Sequence, residues 1–283
     1  MSRIAYVNGH YVQHAEAAVH IEDRGYQFAD GVYEVCGIRN GKLVDETRHL
    51  DRLERSLSEL RIPMPVSRRA MQHLLRETVR RNRIRNGIVY LQVTRGVAPR
   101  DHAFPKASIP ALVITAKRAD PSKLAKAETG VAVVTRPDQR WARRDIKSVA
   151  LLPNILAKQS AREAGAYEAL LVDDHGEVTE GSSTNAWIVD KEGRLITRPL
   201  GHDILNGVTR QVLVEAARAE GIEVVERPFT VEEAKGASEV FISASSVPVI
   251  PVISIDGKPV SGGKPGPLGA RLRAAYWRLA ELS

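Results

Sequence analysis

Three of the six Asn-Gly and Asp-Gly pairs in this 283-residue chain constrain its fold more than any other local feature, because each turns one strand back on its neighbour. Asn8-Gly9 lies inside Tyr6-Val7-Asn8-Gly9-His10-Tyr11-Val12. Asn40-Gly41 separates Val35-Cys36-Gly37-Ile38 from Lys42-Leu43-Val44, and Asp256-Gly257 closes the run Val249 to Ile255. The favoured two-residue turn needs φ > 0 at its central positions, which Asn, Asp and Gly tolerate and β-branched residues do not. Antiparallel hairpins are therefore expected in both halves of the chain.

Helical spacing appears between the hairpins. Asp45 to Leu60 places Leu50, Leu53, Leu57 and Leu60 on one stripe, and Ser67 caps a second helix that turns Met71, Leu74, Leu75 and Val79 inward. Strands are expected over Gly87 to Thr94 and Ala111 to Ala116, with an irregular Gly- and Pro-containing loop, Arg95 to Ile109, between them. Residues 1–118 thus read as an α+β domain and 119–124, around Asp120-Pro121-Ser122-Lys123, as a linker. In residues 125–283, strands at Val131 to Thr135, Glu168 to Asp173, Ser183 to Val189, Glu223 to Glu226, Val240 to Ser243 and Val249 to Ile255 alternate with helices. The helices are expected from Pro153 to Ala164, from Asn206-Gly207 to near Gly221, and along Leu268, Leu272, Ala275 and Leu279. That pattern predicts a strand-rich second domain with packed helices.

Composition narrows the function classes. Hydrophobic content of 43% and charged content of 27% are those of a soluble globular protein. No apolar run is long enough to span a bilayer, and Met1-Ser2-Arg3-Ile4 leads into a strand pattern without the apolar core of a signal peptide. The single cysteine, Cys36, cannot form an intrachain disulfide, so a reducing, cytoplasmic setting is expected. The net charge of +7 concentrates at Arg76, Arg80, Arg81, Arg83 and Arg85. Without interleaved aromatics or a nucleic-acid signature this reads as a solvated helix face, and neither a nucleic-acid nor a membrane partner is expected.

The chemistry lies in two short segments. Lys147 sits in Asp145-Ile146-Lys147-Ser148, and Glu180 opens Glu180-Gly181-Ser182-Ser183-Thr184-Asn185. Pyridoxal phosphate chemistry needs such a pair: a lysine amine to hold the aldehyde, and a carboxylate to hold the ring nitrogen protonated so that the ring takes up electrons. Either residue alone reads as a solvated lysine or a turn glutamate. A phosphate, in turn, wants helix N-terminal amides, hydroxyls and an arginine. Ile204-Leu205-Asn206-Gly207-Val208-Thr209-Arg210, Ser243-Ala244-Ser245-Ser246 and His49-Leu50-Asp51-Arg52-Leu53 supply them. Taken singly, Thr209 reads as a first-turn residue, Ser245 as a loop hydroxyl and Arg52 as a surface partner for Asp51 or Glu54.

Both motifs, with Asp23-Arg24-Gly25-Tyr26-Gln27-Phe28-Ala29-Asp30-Gly31 ahead of them, resemble those of the fold type IV pyridoxal-phosphate enzymes along nearly the whole chain. This resemblance implies a two-domain α+β enzyme, with a small α/β N-terminal domain and a larger pseudobarrel C-terminal domain that binds pyridoxal 5'-phosphate. It implies Lys147 and Glu180 as catalytic residues. Arg52, Val208, Thr209 and Ser245 are implied around the phosphate, with Leu205 against the cofactor ring. Ala244 stands where relatives often carry a second hydroxyl. No metal is expected. In the loop Arg95-Gly96-Val97-Ala98-Pro99-Arg100-Asp101-His102, Arg100 and His102 are two apart and point the same way if extended. With Tyr33 they resemble the substrate-carboxylate trap of D-amino-acid transaminases, in which Arg and His come from the neighbouring subunit. A homodimer with shared active sites is therefore implied. Asp101 would weaken the trap if it paired with Arg100, and Arg24 lines the pocket or stabilises the loop.

The implied reaction is ping-pong transamination between a D-amino acid and a 2-oxo acid, of the type D-alanine plus 2-oxoglutarate giving pyruvate plus D-glutamate. Lys147 would act as base and acid, and pyridoxamine phosphate would carry the amino group. A branched-chain L-amino-acid aminotransferase and an (R)-amine transaminase share the fold and remain as alternatives. An idle basic binding protein is a further one.

Overall fold

The computed structural model describes residues 3–283 and divides the chain into two compact units. One comprises Met1–Ala119, Ile146–Ala150 and Glu281–Ser283; the other comprises Asp120–Asp145 and Leu151–Ala280.

In the first unit the elements are β1 Ile4–Val7, β2 His10–Gln13, α1 Arg24–Phe28, β3 Gly31–Arg39, β4 Lys42–Val44, α2 Glu46–Glu59, α3 Arg68–Arg81, β5 Gly87–Thr94 and β6 Ala111–Arg118. The strands form one antiparallel sheet in the order β2-β1-β6-β5-β3-β4. The expected hairpins are present: Asn8 and Asn40 adopt φ of 45° and 53°, ahead of Gly9 and Gly41 at 99° and 83°. Ser67 caps α3 by accepting from the Ala70 amide. Leu50, Leu53 and Leu57 of α2 and Met71, Leu75 and Val79 of α3 are buried with Val32, Cys36, Ile38, Val89 and Leu91 of the sheet. Arg80 and Arg81 on α3 both pair with Glu77, and Arg76 pairs with Glu46, so these three arginines of the basic cluster are tied to neighbouring carboxylates.

The 146–150 segment returns to this unit as an edge partner of β3. Tyr33 N donates to Lys147 O (3.0 Å), Val149 N donates to Gly31 O (3.0 Å), and Val32 bridges Ser148. Residues 37–39 of β3 pair with β4 on this same side, so the lysine segment continues the row that β4 occupies farther along. Ladder hydrogen bonds thus fix the Lys147 backbone beside Tyr33.

The second unit contains α4 Pro121–Thr129, β7 Val131–Pro137, α5 Leu152–Glu163, β8 Glu168–Val172, β9 Val178–Gly181, β10 Asn185–Val189, β11 Leu195–Thr197, α6 Val208–Ala219, β12 Val224–Glu226, α7 Val231–Gly236, β13 Glu239–Ala244, β14 Val247–Ile255, β15 Lys258–Pro259 and α8 Pro267–Leu279. Its sheet runs β12-β11-β10-β13-β14-β7-β8-β9, with β15 on β14. Five strand spacings, about 24 Å in a flat sheet, separate β10 from β9 in that order. Yet only residues 182–184 join them, and four steps of chain reach about 14 Å at most. A flat sheet cannot satisfy both, so this one curls on itself. The curl is the barrel-like second domain that the resemblance implies.

One sequence expectation needs revision. Residues 119–124 do not form an open linker: Asp120 accepts from the Ser122 amide as N-cap of α4, with Pro121 in its first turn. Asp-Pro-Ser marks chain breaks and helix starts with the same chemistry, and composition alone does not separate them. Glu180 does lie between the two expected strand runs, β8 and β10, and the structure adds one more strand there. Val178-Thr179-Glu180-Gly181 is a strand of its own, paired antiparallel with β8. No helix among the described residues is long and apolar enough to cross a membrane.

Candidate active site

In the second unit Glu180 is 5% exposed at the end of β9. Its carboxylate accepts from Leu205 N (3.2 and 3.3 Å to the two oxygens), from Asn185 Nδ2 (3.0 Å), and from Arg140 Nη1. Arg140 also holds Asp138 through Nε and Nη2 at 2.9 and 2.7 Å. Burial pushes the Glu180 carboxyl above the usual carboxylate range. Arg140 and the Leu205 amide oppose that push, and the Asp138 charge adds to it. A buried carboxyl balanced in this way suits proton sharing with a ring nitrogen.

The turn after Glu180 is fixed from below. Glu168, fully buried on β8, accepts from the hydroxyls of Ser182 and Ser183 (2.9 Å for Ser183) and lies 3.1 Å from Lys158 Nζ. Asn185 Nδ2 donates to Leu205 O (3.1 Å) as well as to Glu180, which ties β10 to the segment that opens α6. Each polar residue of Glu180-Gly181-Ser182-Ser183-Thr184-Asn185 named here therefore has a structural partner.

That segment brings together Leu205, Val208 and Thr209. Gly207 is the N-cap of α6 and offers no side-chain acceptor to the first-turn amides. Thr209 is 4% exposed, and its Oγ1 is buried without a hydrogen-bond partner. Bare helix N-terminal amides beside an orphaned buried hydroxyl fit a phosphate, which would satisfy both. Ser245 is half-buried in the turn between β13 and β14. A Cβ on Gly207 would lie 2.0 Å from Asn185 Oδ1. Gly207→Ala is thus expected to displace Asn185 and to weaken pyridoxal-phosphate binding roughly tenfold, the effect of breaking a buried hydrogen bond. Equilibrium dialysis checks this, and unchanged affinity would detach Gly207 from the site.

In the first unit Lys147 is half-buried, with Nζ 4.2 Å from the centroid of the Tyr33 ring. Arg52 is not the surface residue that its neighbours Asp51 and Glu54 suggest. It is buried on α2, its Nε and Nη2 donating to Glu34 at 2.7 and 2.9 Å, and His49 Nδ1 lies 2.7 Å from the same carboxylate. The paired guanidinium and hydrogen bonds hold Glu34 well below the usual carboxylate range despite its complete burial. Arg100 and His102 are exposed on their loop and share one aromatic neighbour: the Phe28 centroid is 4.6 Å from Arg100 Cζ and 5.5 Å from the His102 ring. Asp101 accepts from the Ala103 amide, capping its own turn. Tyr33 instead stacks near Tyr90, with ring centroids 5.7 Å apart.

Sequence reasoning missed Arg140, Asp138, Glu34 and Asn185. For Glu34 a signal existed: at period two it shares the apolar face of β3 with Val32, Cys36 and Ile38, where a charge requires a buried partner.

The amino-transferase class IV family matches residues 31–255. The chain belongs to this family. It is 44% identical over 273 residues to a D-alanine aminotransferase of Listeria monocytogenes, covering 95% of this chain and 93% of that one. To a D-alanine aminotransferase of Staphylococcus aureus it is 42% identical over 278 residues, 98% of this chain and 97% of that one. Among solved structures it superposes on the branched-chain aminotransferase of the thermophilic archaeon Thermoproteus uzoniensis, solved with norvaline, at a TM-score of 0.85. Identity there is 27%, over 98% of this chain and 94% of that chain. Membership accounts for the curled sheet and makes the protein an aminotransferase.

Proposed function

We propose that this aminotransferase exchanges the amino group of a D-amino acid with a 2-oxo acid, using pyridoxal 5'-phosphate. The observation that carries the reading is the loop in which Arg100 and His102 stand together on Phe28 with solvent-facing donors, beside the 42–44% identity to D-alanine aminotransferases. Pyridoxal phosphate, when bound, supplies an aldehyde that links to lysine and a ring that takes up electrons. Thr209 Oγ1, the amides of Val208 and Thr209, Ser245 and Arg52 would hold its phosphate, Leu205 would pack on the ring, and Glu180 would hold the ring nitrogen. Lys147 Nζ takes the proton from the substrate Cα and later returns it, as base and then acid. Arg100, His102 and Tyr33 bind the substrate carboxylate.

The chain works as a cytoplasmic homodimer whose loops complete each other's sites. Tyr33 has Tyr90 and Lys147 around it, whereas Arg100 and His102 lie on Phe28, which supports a trap assembled from two subunits. Ile21, Tyr26, Val97 and Ile109 are exposed around the same loop, where Asp23 bridges Val97 and Ala98 N donates to Glu22 O. On α5, Leu152, Ile155 and Leu156 form a second exposed apolar stripe. Surfaces of this kind mark association sites. The buried free thiol of Cys36 accords with a reducing compartment.

Arg100→Ala is expected to lower kcat/KM for D-alanine about 100- to 1,000-fold, the effect of removing one member of a charge-assisted carboxylate pair. Release of the cofactor aldehyde by hydroxylamine, an amine without a carboxylate, should change little. Equal losses would remove Arg100 from the trap. Conversion of the yellow enzyme by L-leucine and not by D-alanine would move it to the branched-chain group.

A further inference from the structure

Asp30 sits where two buried arginines converge. Arg24 Nε donates to Asp30 Oδ2 at 2.8 Å, Arg95 Nε donates to the same oxygen at 2.7 Å, and Arg95 Nη2 donates to Oδ1 at 3.0 Å. Both arginine side chains are 4% exposed, and the aspartate side chain is 11% exposed. Each cation also grips chain that would otherwise be loose. Arg24 Nη1 donates to the carbonyls of Asp101 (2.6 Å) and Ala103 (3.3 Å), on either side of His102. Arg95 donates to the carbonyls of Arg61 and Leu60 at 3.0 and 2.8 Å, and its guanidinium carbon lies 3.6 Å from the Phe104 centroid. The Phe28 ring centroid lies 4.8 Å from the Arg24 guanidinium carbon and 4.6 Å from that of Arg100. Asp30 is joined directly to Gly31, where β3 begins on its way to Tyr33.

These contacts give a Gly- and Pro-containing loop what its sequence lacks, a rigid frame. Burying two guanidinium groups and a carboxylate is costly unless each is paired and hydrogen-bonded, and here each is. Arg24 Nη2 also donates to the carbonyl of His102 itself (3.5 Å), so the position of Arg24 sets the backbone from which Arg100 and His102 project. A carboxylate site gains most from donors already fixed in place before the substrate arrives.

We infer that Arg24, Asp30 and Arg95 form an ionic clamp that positions the Arg100–His102 loop for substrate carboxylate binding, with Phe28 orienting the Arg100 guanidinium. Arg24, Asp30, Arg95 and Phe28 are positioning residues; the inference rests on the reading of Arg100 and His102 as carboxylate binders. The functional alternatives left open for Arg24 resolve toward holding the loop.

Arg24→Gln in the cofactor-loaded enzyme tests it, since Asp30 keeps its two bonds to Arg95. Amide hydrogen exchange over residues 100–104 is expected to rise at least tenfold while that of β3 and β5 stays unchanged. KM for D-alanine should rise about 10- to 100-fold with kcat within about threefold, and the hydroxylamine rate should hold; such a loss corresponds to about 1.4–2.7 kcal/mol. Unchanged exchange overturns the clamp, as does an increase in exchange without a KM effect or with kcat falling in step. If Arg100→Ala itself spares D-alanine, the carboxylate reading fails, and the exchange measurement still decides whether Arg24 orders the loop. Phe28→Leu keeps every ion pair and serves if Arg24→Gln does not fold. It should raise KM for D-alanine several-fold at constant hydroxylamine rate, and an unchanged KM would overturn the orienting role.

Discussion

Lys147→Ala is expected to give a folded protein whose transamination is slower by about 10⁴-fold or more, the upper range for a positioned acid–base group, and which lacks the visible band of lysine-linked cofactor. The two effects separate because they belong to different parts of one residue. The Lys147 backbone carbonyl accepts from Tyr33 N, and the neighbouring Val149 amide donates to Gly31; alanine keeps both bonds. The side chain's recorded contact is with the Tyr33 ring at 4.2 Å. A cation over an aromatic face contributes about 0.5–1 kcal/mol at a site of this exposure, whereas 10⁴ in rate is about 5.5 kcal/mol. Thermal unfolding should therefore shift by a few degrees at most while activity disappears. Spectra and turnover of the purified variant decide it, and retention of even a tenth of the activity would sink the lysine assignment.

What was legible in the sequence divides along physical lines. Hairpins and long helices were readable because their determinants are local. Asn40-Gly41 needs only its own φ angles, and the stripe Leu50, Leu53, Leu57 needs only its own period. The five-residue α1 and six-residue α7 were not, being too short to show a period. Closure of the second sheet was not readable either, since it depends on β7 and β8 inserting between strands distant in sequence. The same contrast holds at the site. Lys147 and Glu180 stand in motifs, whereas Arg140 and Asp138 reach Glu180 only through the fold, 40 and 42 residues away in sequence. Asp30 carries no signal of its own in the sequence, because its partners Arg24 and Arg95 are found only once α1 and the end of β5 have packed. Buried ion clusters are a long-range property, and a single sequence shows them only as charges on an apolar face.

Glu34 is the case where that signal has the largest consequence for stability. Glu34→Gln replaces the carboxylate that accepts two hydrogen bonds from the buried Arg52 guanidinium, 7% exposed, by a neutral amide. Breaking a buried pair from one side costs about 3–5 kcal/mol, so urea unfolding at pH 7 should show a loss of that order. The pH dependence fixes the cause. The folded-state acidity of Glu34 is strengthened, so its stabilisation is fully present above the unfolded carboxylate value, about pH 4.3, and is lost as pH falls below it toward the folded value. The gap between wild type and Glu34→Gln should accordingly be constant from neutral pH down to about 5 and narrow below about 4.3. A gap independent of pH would point to lost packing. Because His49 and Arg52 both converge on this carboxylate, replacing Arg52 by methionine in the Glu34→Gln background should recover part of the stability, since removing a buried charge also removes the cost of burying it. If Arg52 binds the cofactor phosphate, that double variant will be the more stable protein and the poorer binder of pyridoxal phosphate, which separates the architectural share of the pair from the functional one.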